Sequence, residues 1–495
     1  MTAQPRARSF SPSPDFVRAV LKGHSGLGLA FAAALYLVCL TGTLAVFARE
    51  FQRWENPTAP RMESVSAETL NRAYLAALEK AGDGVEHVFI NLPNRDLPWL
   101  MVTTEKDGER ESLLADADGE LTGGADMLWS EFLTRLHIHL HLPRSWGGFI
   151  VGLSGVALLS SLISGILAHP RIFRDAFHLR LGGSRRLQEA DLHNRIGVWA
   201  LPFHVIVSLT GALLGLSIVI VGVLGLALFK GDTDKVYSLF LPPHPVDDPR
   251  PAPPLDLRPM FAQAVARAPD GRIEYVMLEH PTEMGGAALF NVRTTPNRIA
   301  GVSAFAFDRE GSLYHSSKAE DSNLGEKILG SLGPLHFGWF AGYTVKIAYG
   351  ILGLGLTYLA AGGVHIWLAR RRDKGRPAPN WEKVWASVIW GQPLALTAAA
   401  IAAIGWPTAE LVLPIAVWGV VSLLALAAAW PLAPAALSRL GRGLTGALLL
   451  FLTTFHAIGR PGGDPVATAI NLSLAAGGLL LLYTVARPHL SRALV

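Results

Sequence analysis

Nine histidines stand at the ends of apolar stretches in the first three quarters of the chain, and imidazole can hold a metal or haem iron between helices. His24 opens the first stretch, His137, His139 and His141 precede the second, and His169 closes it. His193 and His204 flank the start of the third, while His336 and His365 bracket the fourth. Imidazole in hydrocarbon is costly without a partner, so histidines at membrane depth are functional candidates. A single boundary histidine is ordinarily an interfacial or hydrogen-bonded residue. Nine on four neighbouring helices, with only His456 and His489 in the last four, point instead to bound metal or haem. His87, His178, His244, His280 and His315 fall in loops or soluble strands and read as surface residues.

Haem iron takes one imidazole from each of two facing helices, so two haems need histidines from different helices at matched depth. By depth the set divides into His24, His169, His193, His204 and His365 on one side and His137, His139, His141 and His336 on the other. His137 and His141 share a face if their stretch is helical, with His139 turned away. His193 and His204 are eleven apart, which on a straight helix puts them on one face about 16 Å apart. The lone cysteine, Cys39, excludes an intrachain disulfide, a CxxC metal or redox motif and CxxCH haem attachment. Any haem is therefore non-covalent haem b, and two such haems account for the histidine set.

Composition sets the class of the elements that must position these residues. The chain has 495 residues, half of them hydrophobic and 17% charged, with a mean hydropathy of +0.33. That is too apolar for an ordinary soluble enzyme and too long for one domain. The net charge of +4 reflects loop asymmetry rather than nucleic-acid binding. Stretches of roughly 20 apolar residues fall near Gly26–Phe47, Gly147–Ala168, Val198–Leu226, Val345–Leu368, Val384–Ile404, Leu413–Leu432, Thr445–Ile458 and Ala467–Val485. The first lacks an A-x-A cleavage site and is read as a membrane helix rather than a signal peptide.

Basic residues orient the spans. Arg6, Arg8, Arg18 and Lys22 precede the first, and Arg171, Arg174, Arg180, Arg185 and Arg186 link the second to the third. Arg370, Arg371, Arg372, Lys374 and Arg376 follow the fourth, and Arg439 and Arg442 lie between the sixth and seventh. Positive charge inside then gives eight crossings with both termini cytoplasmic. Two soluble segments on the opposite face each read as one helix followed by three strands, a duplicated pair of small α+β domains. The helices are at Ala67–Lys80 and Leu257–Ala268. The chain thus divides into a cytoplasmic segment 1–23, a first membrane element 24–48, a domain 49–136 and a second membrane element 137–169. A basic loop 170–194, a third membrane element 195–229, a domain 230–335 and a fourth membrane element 336–369 follow. A basic loop 370–382, a four-helix extension 383–486 and a tail 487–495 complete it. The fold class is an α-helical polytopic membrane protein of about eight helices with two small outer α+β domains.

The residues resemble one family. His24-Ser-Gly-Leu-Gly28, Thr41-Gly-Thr-Leu-Ala-Val-Phe47 and Trp54 to Pro57 are similar to the first helix of the PepSY-associated transmembrane proteins. Leu136-His-Ile-His-Leu-His-Leu-Pro143, Ser164-Gly-Ile-Leu-Ala-His169, Asp191-Leu-His-Asn194, Leu201-Pro-Phe-His204 and Pro334-Leu-His-Phe-Gly338 resemble its later motifs, so the likeness covers roughly residues 16–372. The resemblance implies PepSY-like outer domains and a multi-pass protein of the bacterial inner membrane. It also implies an enzyme: a di-haem reductase of ferric siderophores, or other ferric chelates, in the periplasm. The axial candidates it implies are His24 with His193 or His204, and His137 or His141 with His336; His169 stands beside the first set. No G-x-G-x-x-G lies between a strand and a helix, so no flavin or nicotinamide domain is expected and electrons must come from a quinol or a separate reductase. Trp381–Val485 departs from the four-helix form of the family. A PepSY-type regulator or peptidase-binding protein, and a metal- or proton-coupled transporter, remain alternatives.

Overall fold

A computed structural model describes residues 13–169, 172–173, 185–243, 247–294 and 299–487. His178, His244 and His489, the arginines at 6, 8, 171, 174 and 180, and the side chain of Arg185 lie outside the described set. Helix α1 (Pro14–Ala30) starts where Ser13 accepts the Phe16 N–H at 3.2 Å with proline in the first turn. It bends by 67° into α2 (Ala32–Ala45), and the short α3 (Ala48–Glu55) follows. The first soluble segment then supplies α4 (Ala67–Ala81), β1 (His87–Asn91), β2 (Leu100–Lys106), β3 (Glu109–Ala115) and β4 (Leu121–Gly124). Helix α5 (Leu128–His139) leads into the long α6 (Arg144–Ala168).

The third apolar stretch is broken twice, into α7 (Arg185–Trp199), α8 (Leu201–Gly215) and α9 (Ser217–Phe229), with the one-turn α10 (Asp234–Tyr237) beyond. Pro202 near the start of α8 has no N–H for the preceding turn, which explains a 73° bend at Ala200. That bend removes the straight-helix geometry expected for His193 and His204. The second soluble segment gives α11 (Leu257–Arg267), β5 (Arg272–Glu279), β6 (Ala287–Arg293), β7 (Val302–Phe307) and β8 (Leu313–Ser317). Helix α12 (Leu324–Phe337) opens on an Asn323/Glu326 capping box and ends at Gly338 in the left-handed region. Five further helices complete the chain: α13 (Tyr343–Asp373), α14 (Pro379–Gly405), α15 (Val412–Ala427), α16 (Pro434–Gly459) and α17 (Pro465–Ala486).

Among the described residues five helices (α6, α13, α14, α16 and α17) are long and apolar enough to cross a membrane, or seven if each bent pair is one span. Eight were expected; the shortfall is α15, whose 16 residues reach only about 24 Å against a hydrocarbon core of roughly 30 Å. The seventh stretch, expected to begin at Thr445, starts at Pro434, so Arg439 and Arg442 lie on α16 rather than in a loop. Apolar side chains such as Ile351, Leu423, Leu472 and Leu480 face outward, as lipid contact requires. The chain is a multi-pass helical membrane protein.

The two soluble segments, expected as separate domains of three strands each, form a single antiparallel sheet of eight strands in the order β4-β3-β2-β1-β5-β6-β7-β8. The halves join where β1 pairs with β5, with Val88 opposite Leu278 and Ile90 opposite Val276. Either half alone would expose its β1 or β5 edge to stray pairing, and joining them removes both edges. One face of the sheet packs Val88, Ile90, Val102, Val276, Leu278, Phe290 and Phe305 against Leu70, Tyr74 and Ala77 of α4 and Met260 and Ala264 of α11.

Buried polar contacts hold α16, α17 and the loop between them to α3. Arg53 makes a two-pronged ion pair with Asp464 at 2.9 and 3.0 Å, both side chains under 5% exposed. The Trp54 indole donates to Asn471 and stacks on His456, whose Nε2 donates to the Trp54 carbonyl. Arg460 donates to the Glu55 carbonyl and to Asp126. Breaking a buried pair leaves an uncompensated charge, costing roughly 3–5 kcal/mol. Asp464→Ala should therefore lower the thermal midpoint in detergent and expose the α16–α17 segment to limited proteolysis, whereas the exposed Lys80–Glu111 pair should be removable with little effect on either readout.

Candidate functional site

The candidate histidines come together in two groups, each assembled from helices distant in sequence. In the first, His137 from α5 and His336 from α12 face each other with ring centres 6.1 Å apart and planes within 18° of parallel. Each ring rests on a glycine of a neighbouring helix. A Cβ built on Gly42 of α2 would meet His137 Cε1 at 2.6 Å, and one on Gly211 of α8 would meet His336 Cε1 at 2.8 Å. Any larger residue would displace the imidazoles. Both Nδ1 atoms are engaged: His137 Nδ1 with the Val38 carbonyl at 3.1 Å, and His336 Nδ1 with Thr210 Oγ1 at 3.0 Å. A carbonyl only accepts, so His137 carries its proton on Nδ1. Thr210 donates its own proton to the Ile206 carbonyl, so it too accepts from His336. Both rings are thereby held with the Nε2 lone pair available, the tautomer that a metal-ligating histidine needs.

Helix α5 is aimed by α3. The Glu55 carboxylate accepts the backbone N–H groups of Trp129 and Ser130 at 2.6 and 3.1 Å, capping the first turn of α5 from outside. His141 does not share a face with His137, because α5 ends at His139 and both Leu140 and His141 adopt left-handed backbone. The His141 ring instead stacks on Phe132 at 4.8 Å, and neither His141 Nε2 nor His139 Nδ1 has a hydrogen-bond partner. The turn is closed by Gly147, where a Cβ would meet the His139 carbonyl oxygen at 2.0 Å.

The second group gathers His24 of α1, His169 after α6, His193 of α7 and His204 of α8. His24, His169 and His204 are all neighbours of His193. His24 Nδ1 is bonded to the Ser161 carbonyl at 3.0 Å and His169 Nδ1 to the Gly165 carbonyl at 3.1 Å, so both leave Nε2 as the acceptor nitrogen. His193 Nδ1 and both nitrogens of the fully buried His204 have no hydrogen-bond partner. His193 sits against Gly362 and Gly363 of α13. His365 of α13 lines a separate recess with Glu189, Arg372 and Trp385. Sequence reasoning passed over Arg195, two residues beyond His193; it is buried, paired with Asp191 at 2.9 Å, and has an unpartnered Nε.

In the first turn of α13, Lys346 is buried between Glu50 at 2.6 Å and Asp96 at 3.1 Å, and Arg49 also reaches Asp96. Burial would raise the Asp96 carboxyl, but the Lys346 and Arg49 charges outweigh it and hold it below the usual carboxylate range.

Residues 21–370 match the PepSY-associated TM region. The chain belongs to that family. Both histidine groups lie within the matched stretch, whereas α14 to α17 lie beyond it. A protein of Pseudomonas aeruginosa described only as uncharacterized is 29% identical over 262 residues, 49% of this chain and 64% of its own length. The chain therefore spans just under two thirds of that relative.

The residues fit haem b. The donors are neutral imidazoles with Nδ1 tied back to protein oxygens, orphaned imidazole nitrogens remain in the second group, and glycines clear the space beside each ring of the first. The ring centres of His137 and His336 lie 6.1 Å apart, close enough that the two imidazoles could hold one iron between them. Gly42→Ala and Gly211→Ala should each displace the imidazole that rests on them, and would lower any haem content held by this pair without disturbing the His24 group, checked by pyridine extraction of purified protein.

Proposed function

We propose that this family member is a haem b electron-transfer protein of the bacterial inner membrane that reduces a ferric chelate, a ferric siderophore for example, in the periplasm. The observation that carries the reading is the pairing of His137 with His336, both fixed in the tautomer that leaves Nε2 free, together with a second histidine group about 10 Å away along α8, judged from the seven residues between His204 and Gly211. In this reading His137 and His336 hold one haem, and His24 with His193 or His204 holds the other, with His169 alongside. Haem iron supplies one-electron redox chemistry. The protein's own residues fix the imidazoles, exclude water from them, and leave the eight-stranded sheet to receive the chelate on the periplasmic side. Arg195 offers a buried cation for a carboxylate such as a haem propionate. Electrons come from a membrane quinol or a separate reductase. Reduction weakens the hold of hard oxygen ligands on iron, so one electron suffices to release the metal.

A dithionite-reduced minus oxidised spectrum of the purified protein tests this. A sharp b-type band with about two haems per chain is expected. His137→Ala and His336→Ala should each remove the same haem, and His24→Ala or His193→Ala the other. A featureless spectrum from folded protein grown with ample haem would overturn the proposal and favour a PepSY regulator; movement of substrate by liposomes without reductant would favour a transporter.

A further inference from the structure

Where the two halves of the sheet meet, a cluster unconnected with the membrane histidines has the geometry of a metal site. We infer that His87, Glu86 and Glu105, with His280 beside them, bind one divalent transition-metal ion on the sheet face opposite α4 and α11. His87 stands directly across the β1–β2 ladder from Glu105 and across the β1–β5 ladder from Glu279. Val88 and Ile90 point into the core, so alternation along β1 turns His87 outward, and Glu105 shares its face as its cross-strand partner.

The donor atoms of Glu86, His87 and Glu105 all lie within 4.8 Å of one another. His87 Nδ1 is 3.6 Å from Glu105 Oε1. That is too long for a good hydrogen bond, but two donors held at about 2.1 Å by one tetrahedral ion sit roughly 3.4 Å apart. Arg110 engages the other carboxylate oxygen, Oε2, which turns Oε1 toward the imidazole. The Nδ1 atoms of both His87 and His280 are buried without a hydrogen-bond partner. Buried polar atoms are rarely left idle, so the orphaned His87 Nδ1 beside two carboxylates indicates a missing partner.

The second half of the sheet contributes in turn. His280 follows β5 with a left-handed backbone at φ 46°, donates its N–H to the Glu86 carbonyl at 2.8 Å, and brings its ring centre to 6.0 Å from that of His87. Its Nδ1 lies 3.4 Å from Glu283 Oε2. Imidazole with carboxylate suits zinc, ferrous iron, nickel or copper rather than calcium or magnesium, which take oxygen ligands. An ion held by these three donors would bridge β1 and β2 beside the β1–β5 seam, with His280 flanking it from the second half. This site requires neither haem nor the proposed reductase activity.

The test is a zinc titration of full-length protein in detergent, stripped with a chelator and read against a chromophoric competitor. One zinc ion should bind with micromolar or tighter affinity. His87→Ala and Glu105→Gln should each weaken binding by about ten-fold or more, with unchanged far-UV circular dichroism. His315→Ala on β8, and His24→Ala and His336→Ala in the membrane groups, should leave this binding intact. The absence of saturable zinc binding at submillimolar concentration, or equal binding by the folded His87→Ala or Glu105→Gln variant, would overturn the inference.

Discussion

An imidazole buried among apolar helices must use its nitrogens, and much of this molecule is arranged around that constraint. A neutral ring has one donor and one acceptor, and leaving either idle away from water is costly. His137, His336, His24 and His169 all spend the donor on a protein oxygen through Nδ1. His456 instead satisfies both nitrogens, donating to the Trp54 carbonyl and accepting from Asn471. The same side chain thus has both nitrogens engaged in the last helices and keeps one in reserve in the first ones. That difference, invisible in residue type, separates the two roles.

Everything that positions the half-used rings follows from helix ends and close approaches. Glu55 caps α5 across space and so fixes the turn from which His137 projects. Thr210 serves both its own helix and His336. Gly42 and Gly211 let the rings lie directly on neighbouring backbones. The α3 helix sits at the centre of this arrangement, because its three final residues, Arg53, Trp54 and Glu55, also hold α16, α17 and their connecting loop. The helices beyond the family's matched stretch are therefore built onto the same segment that aims the histidine pair, and a change in one would be felt by the other.

Much of this was legible from residue patterns. Apolar stretches of membrane-spanning length, the family motifs and the positions of His24, His137, His193, His204 and His336 could all be read directly. Pro202 carried the signal for the break between α7 and α8, since proline cannot continue a helix ladder. Trp430-Pro431 likewise marked an early end to the sixth stretch. Other features had no local signal. His141 leaves the face of His137 because two successive residues turn left-handed, although neither is glycine. His87 and His280 resembled surface residues because 193 positions separate two side chains whose rings the sheet brings to 6.0 Å.

Taken alone, the order of residues determined hydropathy, helix length, the number and rough depth of the histidines, and the absence of thiol chemistry beyond Cys39. These depend on local composition and on periodicity, which short-range physics reads without knowledge of neighbours. Only the tertiary structure decided which histidines face one another, which tautomer each adopts, and that two four-strand halves share one sheet. Those outcomes rest on hydrogen bonds and strand pairings between residues far apart in the chain, and such contacts exist only once the helices and strands are packed together.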